Sequence, residues 1–251
     1  MQNNIHTTPH TFSKLNALGI AGIIFDYGGT LDTNGNHWGQ VIWHAYQRAD
    51  IPVSEADYRS AYVHVERTLA THRIIMPQFT FADVLSTKLK MQLAYLRGEK
   101  GLNVPQLELD MMHDILLTFI CDDLDRVIQH SFQVLLELQK HYPLVLVSNF
   151  YGNIEAVLDN FQLRQFFGSI IESSVVGVRK PDPQIFALGV EALKLPADKV
   201  LVVGDSFDKD IVPASSLGCK TAWFKGEQWE EKTYNEALPQ LIIQDLDDLL
   251  G

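Results

Sequence analysis

The chain has 251 residues, of which 46% are hydrophobic, so it can build one large domain or a domain with an insertion. Its formal net charge of −11 repels phosphate backbones and excludes nucleic acid as an expected partner. A small anionic substrate stays compatible with this charge, because a local cluster of donors can outweigh a distant net charge.

The expected location is the cytoplasm, with no membrane partner. Cys121 and Cys219 are far apart and match neither a metal-ligand spacing nor a disulfide scaffold, which is typical of a reducing compartment. Residues 1–14 are polar and lack the apolar run of a signal peptide. No stretch approaches the ~20 apolar residues that a membrane helix requires.

Short apolar runs bounded by turn residues predict strands that are buried on both faces of a parallel sheet. They lie at residues 20–25, 144–147, 170–171, 200–203, 221–224 and 241–243. Helical patterns separate several of them, at residues 154–167, after Asp182 and Pro183, and at residues 210–217. This alternation predicts a doubly wound, mostly parallel, Rossmann-like α/β fold.

Residues 34–127 interrupt the alternation and predict an α-helical insertion. Helical patterns occur there at residues 39–49, 54–72, 83–97 and 108–122, and the chain returns through a helix at residues 132–141. Ser54 and Asp57 have the spacing of a helix capping box. We therefore predict a core built from residues 1–33 and 128–251, with residues 34–127 as a separate helical domain.

Polar residues follow the predicted strands at their carboxyl ends, where open parallel sheets bind ligands. They are Asp26, Gly28, Gly29 and Asp32 after the first strand, Ser148 and Asn149 after the second, Lys180 before the helix that leads to the fourth, and Asp205 and Asp210 after the fourth. Each cluster alone is ordinary turn or helix-cap chemistry. Their joint occurrence, in order and at strand ends, predicts an active site.

These residue types suit the transfer of a phosphoryl group. A carboxylate such as Asp26 can act as a nucleophile and divide a difficult transfer into two easier steps. Asp26 and Asp205 supply the hard oxygen ligands that a magnesium ion prefers, and the ion neutralises their charge. Ser148, Asn149 and nearby loop amides can donate to the phosphoryl oxygens, and Lys180 adds a positive charge.

The same residues resemble the sequence motifs of the haloacid dehalogenase (HAD) superfamily. The resemblance covers residues 20 to about 218. Its four segments are residues 25–31 (Phe-Asp-Tyr-Gly-Gly-Thr-Leu), Ser148, residues 177–183 (Gly-Val-Arg-Lys-Pro-Asp-Pro), and residues 204–206 (Gly-Asp-Ser) with Asp210. The helical insertion is similar to the family's C1-type cap, which closes over small substrates.

The resemblance implies a hydrolase, most directly a Mg²⁺-dependent phosphatase of a small phosphorylated metabolite that forms an aspartyl-phosphate. Asp26 would be the nucleophile and a metal ligand, and Gly28 would lend its backbone carbonyl to the metal. Asp205 would be the acidic ligand of the fourth motif. Asp210 would complete the metal site or orient Lys180. The sequence leaves the oligomeric state open, and a homodimer is compatible with it.

The resemblance also implies a set of residues that contact the substrate. Ser148 and Lys180 would hold the phosphoryl group and complete the catalytic set with Asp26. Asn149 and Gly29 are expected beside that group. His37, at the edge of the predicted cap, is the expected contact with the rest of the substrate.

Gly28 departs from the family pattern, which has a second aspartate there as general acid and base. A backbone carbonyl survives this replacement, but the proton donor does not, and such a donor contributes roughly 10² to 10⁴ in rate. Asp32 and His37 are the two candidates to replace it. A leaving group that needs little acid assistance would also tolerate the loss.

Three other readings remain beside the phosphatase. A 2-haloacid dehalogenase lacks the second aspartate but works without metal, whereas the intact Gly-Asp-Ser segment at residues 204–206 favours a metal site. A phosphonatase needs an early lysine in its cap, and residues 34–72 contain none. A weakly active scaffold with a binding or regulatory role is supported by Gly28, but it would have little need for Asp26, Lys180 and Asp205 together.

Overall fold

A computed structural model describes residues 11–251, and predictions that concern residues 1–10 lie outside this range. The strands are Gly22–Phe25 (β1), Leu144–Ser148 (β2), Ser169–Glu172 (β3), Val200–Gly204 (β4), Lys220–Phe224 (β5) and Leu241–Ile243 (β6). They form one sheet in the order β3-β2-β1-β4-β5-β6, and every neighbouring pair is parallel. The predicted doubly wound α/β fold is confirmed.

The strand order reverses beside β1, and this reversal positions the candidate site. β1 pairs with β2 on one side and with β4 on the other, and Phe25 lies opposite Val203. All residues of β1, β2 and β4 are buried, which explains their continuous apolar character. The segments that leave the carboxyl ends of β1 and β4 are therefore neighbours, and such a switch point forms a crevice for ligands.

Short helices precede the first strand and connect the strands outside the insertion. They are Ser13–Ala17 (α1), Ile154–Asn160 (α6), Ser173–Val176 (α7), Gln184–Leu193 (α8) and Val212–Ser216 (α9). A π-helical turn at Phe207–Ile211 precedes α9, so the predicted helix at residues 210–217 is shorter than expected. The predicted helix at residues 154–167 also ends early, because Gln162 has a φ of 58° and a 3₁₀ turn follows.

The N-terminal cap of α8 differs from the prediction by one residue. Pro183 is the N-cap and the helix begins at Gln184, whereas the sequence pattern gives Asp182 as the cap. Asp182 still contributes, since its carboxylate accepts a hydrogen bond of 2.9 Å from the backbone N–H of Gln184. The aspartate therefore satisfies a free N–H at the helix start from one position earlier.

Four helices lie between β1 and β2: Trp38–Arg48 (α2), Glu55–Thr71 (α3), Phe81–Glu99 (α4) and Gln106–Leu138 (α5). Ser54 caps α3 as predicted and accepts a hydrogen bond of 3.1 Å from the N–H of Asp57. The expected separate helices at residues 108–122 and 132–141 are wrong, because α5 is continuous over 33 residues. The predicted boundary at residue 127 falls within α5, and the division into core and cap stays a prediction.

Two hydrophobic clusters hold the layers together. The larger one joins one face of the sheet, including Ile23 and Phe25, to residues of the insertion such as Leu116. The smaller one packs the other face, including Ile24, against Phe186 of α8. Within the described part of the chain, no helix combines the length and the apolar character needed to span a membrane.

Candidate active site

Asp26 follows β1 directly and is only 6% exposed. Its backbone N–H donates to the carbonyl of Val203 at 3.0 Å, which fixes the residue beside β4. Lys180 Nζ lies 2.5 Å from Asp26 Oδ1, and the Thr30 hydroxyl lies 3.3 Å from Oδ2. Burial raises the pKa of Asp26 to about 6, although Lys180 opposes the rise. The carboxylate is therefore ionised at neutral pH, as a nucleophile requires.

Asp205 and Asp210 lie beside Asp26, and carboxylate oxygens of the three residues are all within 4.8 Å of one another. The Thr30 hydroxyl lies 3.2 Å from Asp205 Oδ1 and accepts a hydrogen bond from the Asp205 N–H. Burial raises the pKa of Asp205 well above its usual value, and Asp26 and Asp210 add to the rise. The three buried carboxylates thus repel one another strongly.

This charge imbalance fits a divalent cation. Among the described residues, Lys180 is the one ammonium in contact with this group, and it contacts Asp26 and Asp210. One carboxylate oxygen of Asp210 accepts a hydrogen bond of 2.7 Å from Lys180 Nζ, and the other accepts one of 3.0 Å from the N–H of Ser206. Asp26 and Asp205, which follow the neighbouring strands β1 and β4, remain the candidates for direct metal ligands, and hard carboxylate oxygens suit Mg²⁺. Of the two roles predicted for Asp210, the geometry favours orienting Lys180.

Hydrogen bonds fix both the ammonium group and the backbone of Lys180. Burial alone lowers the pKa of its ammonium, but Asp210 and Asp26 outweigh this effect and raise the pKa above its usual value. The side-chain amide of Asn149 accepts a hydrogen bond of 2.9 Å from the Lys180 N–H and donates one of 3.0 Å to the Lys180 carbonyl. The Asn149 side chain therefore positions the lysine, and its predicted contact with substrate stays a prediction.

The two glycines after Asp26 differ in how much space surrounds them. Gly29 has a φ of 104°, and a Cβ there would lie 2.4 Å from the carboxyl group of Asp205, so no larger residue fits. A Cβ at Gly28 would approach only the Trp38 ring, at 3.9 Å. The structure therefore requires glycine at position 29 but not at position 28.

Asp32 and His37 differ sharply as proton donors. Asp32 is 2% exposed, and its carboxyl accepts hydrogen bonds from the N–H of Gly29 at 2.7 Å and from Trp38 Nε1 at 3.0 Å. Burial raises the pKa of Asp32 to about 7. His37 instead caps α2, with Nδ1 accepting from the Gly39 N–H at 3.0 Å, and burial lowers its pKa to about 4. Near neutral pH, Asp32 is therefore partly protonated and His37 is neutral.

These groups share a cavity of about 980 Å³ between the sheet and the helical insertion. The predicted site residues in its lining are Asp26, Gly28, Asp32, His37, Ser148, Asn149, Lys180, Asp205 and Asp210. Gly29 is not part of the lining surface, and its backbone N–H bonds Asp32. Arg73, Arg179 and Lys209 are exposed cations that also line the cavity.

A family model for haloacid dehalogenase-like hydrolases matches residues 20–218 of the chain. The chain belongs to this family. It is thus a member of the HAD-like hydrolase family, as the four sequence motifs predict. The family assignment also agrees with the six-stranded parallel sheet and with the cluster of acidic residues at its switch point.

Two curated relatives show the level of similarity. The chain is 36% identical over 104 residues to haloacid dehalogenase-like hydrolase domain-containing protein 3 of Danio rerio, covering 41% of this chain and 43% of that protein. It is 38% identical over 90 residues to a glyceraldehyde 3-phosphate phosphatase of Pyrococcus abyssi, covering 36% of this chain and 38% of that enzyme. Both matches therefore span less than half of each relative.

The fold is similar to that of the HAD-hydrolase YfnB from Bacillus subtilis, whose crystal structure contains magnesium. The TM-score is 0.56 at 21% identity, and the match covers 92% of this chain and 96% of YfnB. At this identity the similarity concerns the fold alone.

Sequence analysis missed several residues that this HAD hydrolase brings to the cavity. Tyr62, Glu66 and Lys88 come from helices of the insertion, and no local pattern distinguishes them from ordinary surface residues. Trp229 and Tyr151 follow β5 and β2, so an inspection of every strand end would have found both. Thr30 lies within the first motif, but its bridging position between Asp26 and Asp205 depends on the fold.

Proposed function

We propose that this HAD hydrolase is a Mg²⁺-dependent phosphatase of a small phosphorylated metabolite, with Asp26 as its nucleophile. The observation that carries the proposal is the convergence of Asp26, Asp205 and Asp210 within 4.8 Å, with Lys180 Nζ 2.5 Å from Asp26. Similarity to a phosphatase from Pyrococcus abyssi supports phosphate esters as the substrate class. Gly28 would add its carbonyl to the metal site.

Two substitutions at phosphorus complete the proposed reaction. An oxygen of Asp26 attacks the phosphorus atom, and the bond from phosphorus to the leaving oxygen breaks, which leaves an aspartyl-phosphate. Water then attacks the same phosphorus atom, and the bond to Asp26 breaks to release inorganic phosphate. A bound Mg²⁺ would neutralise the charge of the nucleophile and of the phosphoryl group. Lys180 and Ser148 hold the phosphoryl oxygens during both steps.

Asp32 is the proposed proton donor in place of the missing second aspartate. In the first step it gives its proton to the leaving oxygen, which departs as an alcohol, and in the second it takes a proton from the attacking water. Trp38 Nε1 lies 3.0 Å from Asp32, and the Trp38 ring lies 3.9 Å from the position of a Gly28 Cβ. One indole thus adjoins both Asp32 and the position of the missing side chain. His37, with a pKa lowered to about 4, remains available as a neutral substrate contact.

The surroundings of the cavity favour an anionic metabolite despite the net charge of −11. Arg73, Arg179 and Lys209 line the cavity and give it a local positive rim. Residues 34–127 are proposed to act as the cap that excludes water from the reaction. We also propose a cytoplasmic location, since Cys121 and Cys219 are both free thiols.

Hydrolysis of an aryl phosphate with and without Mg²⁺, by wild type and Asp26→Asn, tests the proposal. We expect Mg²⁺-dependent release of phosphate by wild type and a loss of about 10⁴ or more in Asp26→Asn, because the nucleophile is removed. Release of halide from a 2-haloacid without metal would instead support the dehalogenase. If the wild type hydrolyses none of a broad panel of phosphate esters, the result would support the alternative of a scaffold with a binding or regulatory role.

A further inference from the structure

We propose that Glu66, Lys88 and Tyr151 bind hydroxyl groups of the leaving group, so that the substrate is the phosphate ester of a neutral sugar or polyol. The inference rests on the proposed phosphatase function and names its substrate class. These three residues line the same cavity as Asp26, and none of them belongs to the four HAD motifs.

The three side chains converge on the cavity from separate elements. Glu66 is on α3, Lys88 is on α4, and Tyr151 lies in the loop after β2. Lys88 Nζ lies 2.6 Å from Glu66 Oε1, and the Tyr151 hydroxyl donates to Glu66 Oε2 at 2.8 Å. Lys88 Nζ also lies 5.2 Å from the centre of the Tyr151 ring. The contacts fix the three polar heads in one place on the cavity wall.

The charges of this group favour a neutral hydroxylated ligand over a second anion. Burial alone raises the pKa of Glu66, but Lys88 outweighs it and the pKa ends below its usual value. Burial alone lowers the pKa of Lys88, but Glu66 outweighs it and the pKa ends well above its usual value. Both residues are therefore charged and cancel each other. A hydroxyl group can accept from the ammonium and donate to the carboxylate, whereas a carboxylate or phosphate would meet Glu66 unfavourably.

Aromatic rings form the adjoining wall. Tyr62 and Trp229 line the cavity, with ring centres 4.8 Å apart, and the Arg59 guanidinium lies 4.1 Å from the centre of the Trp229 ring. Phe81 extends the apolar surface towards Trp38. Apolar C–H faces of a sugar can pack on such rings while its hydroxyls reach the polar group. Ligand sites combine a largely apolar lining with a few fixed polar groups in this way.

A purely structural role explains the half-buried ion pair of Lys88 and Glu66 less well. Removing charges even partly from water is costly, and apolar residues of similar size often stabilise a fold as much or more. An ammonium has three donors, and Lys88 interacts with Glu66 and with Tyr151. Because Lys88 lines the cavity, a donor that these two residues leave over can serve a ligand.

Steady-state kinetics on matched substrates test the inference. The panel contains pentose and hexose phosphates, alditol phosphates, the corresponding aldonic acid phosphates, nucleoside monophosphates and p-nitrophenyl phosphate. We expect wild type to show at least about tenfold higher kcat/KM for the best sugar or alditol phosphate than for its aldonic acid counterpart or for any nucleotide, which corresponds to one lost charged hydrogen bond.

Three variants identify the residues responsible: Lys88→Met, Glu66→Gln and Tyr151→Phe. We expect KM for the preferred sugar or alditol phosphate to rise about tenfold in Lys88→Met and Glu66→Gln, with a smaller rise in Tyr151→Phe. The effect on p-nitrophenyl phosphate should be several-fold smaller, because its leaving group has no hydroxyls to bind. Lys90→Met, which removes an exposed lysine from the same helix, is the matched control and should leave every KM unchanged.

The outcomes separate this inference from the function on which it rests. Equal losses on sugar and aryl phosphates in the variants would indicate a structural role and overturn the inference. A preference for aldonic acid phosphates or nucleotides would overturn it as well, while Mg²⁺-dependent turnover of p-nitrophenyl phosphate would leave the phosphatase intact. Absence of all turnover by wild type would overturn both proposals.

Discussion

In the proposed mechanism, single residues decide how a proton can move. Gly28 stands where the family resemblance places the usual acid, and Asp32, four residues later, has a buried carboxyl with a pKa of about 7. Burial is the largest cause of that pKa, and the hydrogen bonds from Gly29 and Trp38 only partly oppose it. A carboxylic acid that keeps its proton near the working pH is suited to protonate a leaving group.

Asp32→Asn should therefore slow hydrolysis of alkyl phosphates by roughly 10² to 10⁴, and that of p-nitrophenyl phosphate much less. The proton donor must be protonated, so wild-type kcat/KM for alkyl phosphates should fall as the pH rises through about 7. This alkaline limb should be absent in Asp32→Asn. Profiles of kcat/KM against pH for both substrates provide the measurement.

A second substitution controls for simple damage to the site. Gly28→Asp in the Asp32→Asn background should restore part of the alkyl phosphatase activity, since a Cβ at position 28 has room beside Trp38. Asp159→Asn changes an exposed aspartate of α6 and should alter neither substrate. An Asp32→Asn enzyme that loses both substrates equally would contradict the assignment of Asp32 as the acid.

Gly29→Ala should destabilise the fold by roughly 1–3 kcal/mol, because the new methyl group would meet the Asp205 carboxyl in a backbone conformation that favours glycine. The phosphatase activity of Gly29→Ala should fall together with its stability. Gly98→Ala is the matched control, since a Cβ there meets nothing within 4 Å and alanine is the better helix former on α4. Thermal unfolding of Gly29→Ala and Gly98→Ala tests this prediction. Equal melting temperatures of the two variants would contradict it.

At the scale of elements, side-chain caps mark the start of α2, α3 and α4 in the insertion. Thr80 and Asp83 form a reciprocal capping box at the start of α4, the helix that carries Lys88. The Thr80 N–H donates to Asp83 at 2.8 Å, and the Asp83 N–H donates to the Thr80 hydroxyl at 3.4 Å. The cap therefore fixes the first turn of a helix that lines the cavity.

Thr80→Ala should lower the free energy of unfolding by about 1 kcal/mol, because it leaves backbone donors of the first turn unpaired. Thr87→Ala is the matched control: its hydroxyl bonds the Asp83 carbonyl within the same helix, where alanine costs nothing. Urea unfolding measures the free energy of unfolding of both variants. If Thr87→Ala lowers this free energy as much as Thr80→Ala does, the cap has no special role.

Sequence patterns predicted the strands and the order of the site residues, because buried parallel strands are continuously apolar and their ends converge. They did not predict that α5 continues through residues 123–131, where neither glycine nor proline occurs and Leu124 and Ile128 stay buried. They also could not reveal that Asn149 holds the Lys180 backbone, because that contact joins two loops 31 residues apart. Local signals define elements, whereas contacts between distant loops depend on the assembled fold.

At the scale of the whole molecule, negative charge limits the stability of the folded state. The net charge is −11, and the buried site holds three carboxylates but one ammonium, Lys180, which contacts Asp26 and Asp210. Burial and the mutual repulsion of the carboxylates both oppose their ionisation in the folded state, and together they raise the pKa of Asp205 well above its usual value. A divalent cation that binds only the folded state would relieve this repulsion and stabilise the molecule.

Mg²⁺ should therefore raise the melting temperature of wild type, by an amount equivalent to about 2.7 kcal/mol at a concentration a hundredfold above Kd. Asp205→Asn should be more stable than wild type without metal and should respond much less to Mg²⁺. Asp245→Asn alters a second group of acidic residues, beside His130, and should respond as wild type does. A wild-type melting temperature independent of Mg²⁺ would contradict the proposed metal site.

The central claim is that Asp26 accepts the phosphoryl group, and its direct test is to locate that group during turnover. Wild type is mixed with a radiolabelled phosphate monoester and Mg²⁺, quenched in acid within the first turnovers, and digested for peptide mapping. The account predicts label on the peptide that contains Asp26 and none in Asp26→Asn. Label on a different residue, or turnover by wild type without any labelled peptide, would contradict it.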